Sequence, residues 1–165
     1  MIVIHRGATL IELVMTIVII SVAIAGVVGA FGLITSRSAG PLDQTRAVEL
    51  AQLYMDEIIT KKYDDNTPPG GVPKYSGSCN IGAEGGETRG TFDDVDDYDG
   101  LNDSPPSSAE GALSGFNDFT VTVAVACAGD DSGIGLPASE AKRIDLTITV
   151  PGGTNFVFSA YRANF

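Results

Sequence analysis

With 165 residues, the chain is long enough for one domain with a modest core once an apolar N-terminal segment is set apart. Its formal net charge of −11 argues against nucleic-acid binding through phosphate neutralisation and against adhesion to anionic lipid headgroups. One small domain with an acidic, solvated surface is the simplest interpretation.

A long uncharged segment begins close to the N-terminus. No charged residue occurs between Leu13 and Ser36, and residues 13–34 are apolar apart from Thr16 and Ser21. At about 1.5 Å per residue, a helix of this stretch measures roughly 33 Å, which suffices to cross the hydrocarbon core of a bilayer. Secretory signal peptides have apolar centres of only about 7–15 residues, so a retained membrane-spanning helix is predicted.

The residues that precede this segment carry a more specific motif. The stretch RGATLIELV, residues 6–14, resembles the prepilin cleavage and methylation motif of type IV pilins and type II secretion pseudopilins. The resemblance implies that a membrane peptidase cuts between Gly7 and Ala8, removes the leader 1–7 and methylates the new amino terminus of Ala8. Family members most often have phenylalanine at this first mature position. The charge of Arg6 favours a cytoplasmic leader and an outward-facing carboxyl end.

Glu12 places one carboxylate at the start of the apolar segment. An ionisable group in a membrane segment needs a partner, and Arg37 lies about 37 Å further along the helix axis. Cleavage would create a positive amine on Ala8, about one helical turn from Glu12. The resemblance implies that this glutamate pairs with the amine of a neighbouring subunit. The alternative is an interfacial residue that interacts favourably with the positive end of the helix dipole.

The same resemblance implies a location and a set of partners. Residues 8–36 would form a single span in the inner membrane and residues 37–165 a periplasmic domain, before assembly into an extracellular pilus or a periplasmic pseudopilus. The implied partners are other pilin subunits, the prepilin peptidase and the pilus assembly platform, without nucleic acid and without a cofactor. A structural, minor pilin subunit is the preferred interpretation, and a minor pseudopilin of type II secretion is the alternative.

A second helical pattern, within residues 37–62, follows Pro41, which is expected to end or kink the first helix. One face of this pattern is apolar and should pack on a sheet. That face consists of Ala47, Leu50, Ala51, Tyr54 and Ile58.

Residues 63–115 are predicted to be loop because they are rich in glycine and proline and lack periodicity. Within them, TFDDVDDYDGLNDS has six aspartates in eleven residues. Oxygen ligands at this density suit Ca²⁺, and the candidate ligands are Asp94, Asp96, Asp97 and Asp99. The spacing does not match an EF-hand loop, so a solvated acidic loop is preferred over a metal site. The FDDVDDYDG block also resembles one found in some minor pilins of the MSHA type.

Two cysteines, Cys79 and Cys127, lie far apart and lack the clustered spacing of zinc or redox sites. A disulfide formed in an oxidising compartment is favoured over two free buried thiols.

Residues 116–165 alternate between apolar and polar side chains, as half-buried strands do. Three strands are predicted, one ending at Cys127, one over Arg143–Val150 and one over Asn155–Arg162. The glycines after Pro151 should turn the last two strands into a hairpin. One helix, a loop region and a small antiparallel sheet make an α+β fold, and the resemblance implies a pilin-like one.

The competing class is an enzyme or a binding module on a single-span anchor. The only histidine, His5, lies in the predicted leader, which excludes Ser/His and Cys/His catalysis in the mature chain. Acids in a glycine-rich loop are expected to lack the apolar surroundings that raise a carboxyl pKa. No enzymatic activity is therefore expected.

Overall fold

The computed structural model describes residues 9–165, with side chains given for 9–34 and 40–165. The fold is α+β: across the described residues there are one long α-helix, two short 3₁₀ helices and six strands. The chain divides into two units between Leu42 and Asp43.

The long helix, α1, runs from Leu10 to Ile59 and includes Pro41. Of the two expected effects of Pro41, an end or a kink of the first helix, the end is therefore wrong. A proline inside a helix removes one backbone hydrogen bond and costs about 3 kcal/mol, but its fixed φ is itself helical. That cost is local, and the helix continues on both sides of Pro41.

The second unit is built on a four-stranded antiparallel sheet. Its order is β1–β4–β5–β6, with β1 at Asn102–Asp103, β4 at Thr120–Cys127, β5 at Ala141–Thr149 and β6 at Asn155–Ala163. The three long strands confirm the three predicted ones. Short strands β2, Ser107–Ser108, and β3, Gly111–Ala112, pair with each other, and 3₁₀ helices lie at Asp96–Tyr98 and Ala138–Glu140. Strands β1 to β3 lie in residues expected to be loop. The sequence could not predict them, because strands of two residues are too short to show an alternating pattern.

Alternation along the strands selects the face that meets the helix. In β4, Val121, Val123 and Val125 are buried, and in the register of the sheet they lie opposite Ile148, Leu146 and Ile144 of β5. Strands β5 and β6 form the predicted hairpin, whose last pair is Thr149 with Asn155. Its turn needs φ values of 98° at Gly152 and 82° at Gly153, which glycine adopts without steric cost.

The predicted apolar face of α1 is confirmed as part of the core. Its five residues are between 0% and 5% exposed, and they form one buried cluster with the inward-facing residues of β4 and β5. Leu50 and Ile58 are completely buried. This contact gives the second unit its two layers, one helix over one sheet.

Two adjacent isoleucines at the end of α1 test this packing. Ile58 is completely buried, whereas Ile59 is 37% exposed. Ile58→Ala should lower the free energy of unfolding by about 2–5 kcal/mol, because it removes buried methylenes and leaves a cavity. Ile59→Ala is the matched control and should cost less than about 1 kcal/mol. Urea unfolding of the full chain in detergent micelles, followed by tyrosine circular dichroism, measures both. Equal losses would contradict the packing.

Candidate functional site

The first unit presents an uncovered apolar surface. Residues Leu10–Ile34 form a stretch of 25 residues with a mean hydropathy of 2.7, long and apolar enough to cross a membrane, and none of it is buried inside the structure. Its large apolar side chains range from 47% exposed at Val14 to 83% at Leu10. Soluble monomers rarely expose apolar patches beyond a few hundred Å². This surface therefore needs a non-aqueous cover.

Glu12 is the only charged residue of that stretch and lies in the first turn of α1. Its Oε2 accepts the N–H of Thr9 at 3.5 Å, and the Oγ1 of Thr9 accepts the N–H of Glu12 at 3.4 Å. This reciprocal pattern is a capping box, here with long and therefore weak bonds. The Thr-x-x-Glu spacing is its sequence signature, and our sequence reasoning did not use it. Glu12 thus helps to start the helix while its carboxylate stays exposed.

The two hydroxyl groups of the stretch are satisfied within the helix. Thr16 donates to the carbonyl of Glu12 and Ser21 donates to the carbonyl of Ile17, both at 2.7 Å. Neither hydroxyl proton is therefore directed outward. The predicted cleavage site between Gly7 and Ala8 lies outside the described residues.

A second group of charged residues lies in the acidic loop, where Asp94 and Asp97 bind each other's backbone. Asp94 Oδ1 accepts the N–H groups of Asp96 and Asp97 at 2.9 and 3.3 Å. Asp97 Oδ2 accepts the N–H groups of Asp93 and Asp94 at 2.9 and 3.1 Å. Each carboxylate thus uses one oxygen to hold the turn that leads into the 3₁₀ helix at Asp96–Tyr98.

The other oxygens of these two carboxylates are buried without a hydrogen-bond donor. They are Asp94 Oδ2 and Asp97 Oδ1, and the two residues are 0% and 3% exposed. Glu87 is partly exposed, but its Oε2 atom is also buried without a hydrogen-bond partner. The expectation of a solvated acidic loop is therefore wrong for Asp94, Asp96 and Asp97. The loop folds back onto the core, so these three aspartates are buried between the loop and the core instead of facing solvent.

Two lysines neutralise other aspartates of the block. Lys142 on β5 is completely buried and pairs with Asp96, and it also donates to the carbonyl of Tyr63 at 2.6 Å. Lys62 pairs with Asp93 at 2.6 Å. Asp99 points elsewhere, since its Oδ1 accepts the N–H of Val125 at 2.8 Å.

Within the part of the chain that the structure describes, acids of this region form three overlapping groups in which one carboxylate oxygen per residue lies within 4.8 Å of the others. The groups are Glu84, Asp94 and Asp96; Glu84, Glu87 and Asp97; and Asp93, Asp94 and Asp97. Of the four predicted calcium ligands, the structure places Asp94, Asp96 and Asp97 in these groups, and Asp99 is in none of them. Sequence reasoning missed Glu84 and Glu87, which lie too far from the block for a local motif to include them.

Crowding of these acids changes their proton affinity. Burial raises the pKa of Asp94 to about 8, and a hydrogen bond that its protonated form can donate to Asp96 and the negative charges of Asp96 and Asp97 act in the same direction. A hydrogen bond that protonated Glu87 can donate to Asp97, followed by desolvation, raises the pKa of Glu87 to about 7. Neighbouring negative charges and a low dielectric both disfavour ionisation. The expectation that acids of this loop lack surroundings that raise a carboxyl pKa is therefore wrong for Asp94 and Glu87.

Arg89 fixes the preceding part of the loop to α1. Its guanidinium binds the Glu57 carboxylate through two hydrogen bonds of 3.2 and 3.1 Å and also pairs with Asp103. The ring of Tyr54 lies below it, with the guanidinium carbon 4.7 Å from the ring centroid. Because Arg89 and Glu57 are 13% and 17% exposed, solvent screens this network only partly.

The disulfide between Cys79 and Cys127 is present, with the Cα atoms 6.2 Å apart. It joins the loop to the end of β4 and confirms the predicted pairing.

Comparison with known proteins finds no match among protein-family models, curated proteins or solved structures.

Loss of the disulfide should destabilise the second unit. Closing a loop between cysteines 48 residues apart reduces the entropy of the unfolded chain and stabilises the fold by up to about 4 kcal/mol. The double variant Cys79→Ser with Cys127→Ser should lose up to that amount in urea unfolding. Thiol labelling of unreduced, denatured wild-type chain is the companion measurement, and two reactive thiols would contradict the bridge.

Proposed function

We propose that this chain is a minor structural subunit of a type IV pilus, held in the inner membrane by Leu10–Ile34 and assembled through the same helix. The observation that carries the proposal is that no part of this 25-residue apolar stretch is buried inside the structure, with one carboxylate at its start. Such a surface needs hydrocarbon before assembly and the helices of neighbouring subunits afterwards.

Glu12 supplies the assembly contact in this proposal. Its capping bonds to Thr9 are long, so the exposed carboxylate remains able to accept a stronger donor. The α-amine created on Ala8 by cleavage is such a donor, and it would enter the helix bundle on an incoming subunit. A charge pair within apolar surroundings stabilises docking only at one axial position, so it also selects the register.

The N-terminal motif supports the processing step. RGATLIELV resembles the prepilin motif around Gly7 and Ala8, and Arg6 favours a cytoplasmic leader. The second unit would then lie on the periplasmic side, where a disulfide persists.

The strong negative charge of the chain favours a minor over a major subunit. A net charge of −11 repeated at close spacing along a fibre would repel itself, although salt screens the repulsion beyond about 8–10 Å. Occasional incorporation avoids that repulsion. A minor pseudopilin of type II secretion remains the alternative, and the presence of the chain in sheared surface pili distinguishes the two.

Processing is tested at Gly7. A bulky residue in Gly7→Leu should block cleavage and hold the precursor in the inner membrane, because the resemblance implies a cut directly after this glycine. The mass of the chain recovered from membranes measures retention of the leader. Normal cleavage and normal appearance in sheared pili would overturn the prepilin assignment.

Assembly is tested at Glu12 with a variant that keeps the cap. Glutamine can also serve in a capping box, so Glu12→Gln should remain folded, inserted and cleaved. Removal of one partner of a buried charge pair costs about 3–5 kcal/mol, which corresponds to roughly a 100- to 5000-fold weaker docking equilibrium. The ratio of chain in sheared pili to chain in the membrane should therefore fall sharply.

Thr9→Ala is the matched control for that experiment. It removes the hydroxyl that caps α1 but keeps the carboxylate, so its cost should be about 1 kcal/mol of helix stability, and assembly should continue. Mass spectrometry confirms cleavage of both variants. An unchanged ratio for Glu12→Gln would mean that Glu12 acts only as a helix cap at the membrane interface.

A further inference from the structure

We propose that Glu84, Glu87 and Asp97 bind one calcium ion with Asp94, which shares one close group of acids with Glu84 and another with Asp97. This proposal does not depend on the membrane helix or on pilus assembly, because all four residues lie in the loop of the second unit.

Three buried carboxylate oxygens in this region have no hydrogen-bond donor from the protein. Asp94 Oδ2 and Asp97 Oδ1 are inaccessible, and so is Glu87 Oε2. Buried polar groups in native structures almost always have partners, and an exception indicates a missing ligand, water or ion. Four backbone N–H groups hold the two aspartate side chains through their other oxygens. The spare oxygens are thus positioned before any ion binds.

The negative charges of the four carboxylates are not balanced by ion pairs within the described residues. Among the ion pairs of residues 9–34 and 40–165, none includes Glu84, Glu87, Asp94 or Asp97. The two nearby lysines already pair with Asp93 and Asp96. Buried charges in proteins are normally paired or coordinate metals. A divalent cation bound between these carboxylates would relieve their mutual repulsion.

The ligand atoms indicate which metal the cluster would bind. Carboxylate oxygens are hard ligands that suit Ca²⁺ and Mg²⁺, and the two cysteines are in the disulfide, so no thiolate is present for zinc. The candidate ligands lie in two irregular loop segments, one with Glu84 and Glu87 and one with Asp94 and Asp97. Calcium accepts six to eight oxygens in flexible geometry, whereas magnesium demands a near-ideal octahedron. The irregular backbone therefore favours calcium.

Binding would join two parts of the loop that no long strand connects. Residues Glu84 and Glu87 form a turn, with the N–H of Glu87 bonded to the carbonyl of Glu84 at 3.2 Å. Asp94 and Asp97 flank the start of the 3₁₀ helix Asp96–Tyr98, which lies against the core. An ion between them would fasten the turn to the core and should stabilise the folded unit.

The experiment uses the full chain in non-ionic detergent micelles, stripped of metal with EGTA. Extracellular calcium sites have dissociation constants of about 10⁻⁴–10⁻³ M. At 10 mM CaCl₂, linkage should then raise the thermal unfolding midpoint by about 5–10 °C. Titration calorimetry of the same sample should show one calcium per chain. The same titration with MgCl₂ should give a shift less than half as large.

Three variants assign the effect to the cluster. Glu87→Gln removes a charge from a partly exposed side chain that makes no backbone bond among those described, so it should fold and bind calcium at least tenfold more weakly. Asp97→Asn keeps an oxygen for the backbone N–H groups and should abolish the calcium-dependent shift. Asp118→Asn removes one charge from an exposed residue outside the three groups and should respond as wild type.

Three results would overturn the proposal. One is an unfolding midpoint that does not change between EGTA and calcium in the wild-type chain. Another is an equal shift with magnesium, which would indicate screening of the acidic surface by any divalent cation. The third is an equal loss of affinity in Asp118→Asn and Glu87→Gln, because the net charge of the chain would then matter and the cluster would not.

Discussion

The burial of one stripe of α1 against the sheet is the constraint that organises the second unit. Once Leu50 and Ile58 face the valines of β4 and the aliphatic residues of β5, the helix cannot rotate without exposing them. That orientation also fixes Tyr54, which belongs to the same face, and Glu57, which lies beside it. Tyr54 then donates to Asp103 at 2.6 Å, and Glu57 accepts from both Arg89 and Tyr98. The polar groups that hold the loop in place are therefore positioned by the apolar contact between α1 and the sheet.

The parts of this fold that could be predicted from the sequence are those with a local signal. Helical and strand periodicity identified the core face of α1 and the three long strands, and two widely separated cysteines indicated the disulfide. Pro41 shows the limit of such a rule, because a proline removes only one backbone hydrogen bond and its φ is compatible with a helix, so α1 continues through it. The Arg89 network had no sequence signal, since Glu57, Arg89 and Asp103 come together only after the loop has folded.

In the acidic block, the sequence does not reveal the separate roles of the individual aspartates. Its aspartates look alike in sequence, yet Asp96 receives a buried lysine from β5, Asp99 accepts a backbone N–H of β4, and Asp94 and Asp97 hold each other's turn. Composition could indicate a possible cation site but could not assign these roles. They depend on which strand lies next to each carboxylate, which is a property of the tertiary structure.

The satisfied hydroxyls of Thr16 and Ser21 have a mechanical consequence for any fibre made from such helices. Because both groups donate to their own helix, the span offers neighbours an almost uniform hydrocarbon surface. Hydrophobic contact is non-directional, so two such helices could slide by one turn, about 5.4 Å, with little change in buried area. Under tension, a fibre of this kind would extend by lengthwise slippage, and the resistance to it would be concentrated at the single charged end of each span.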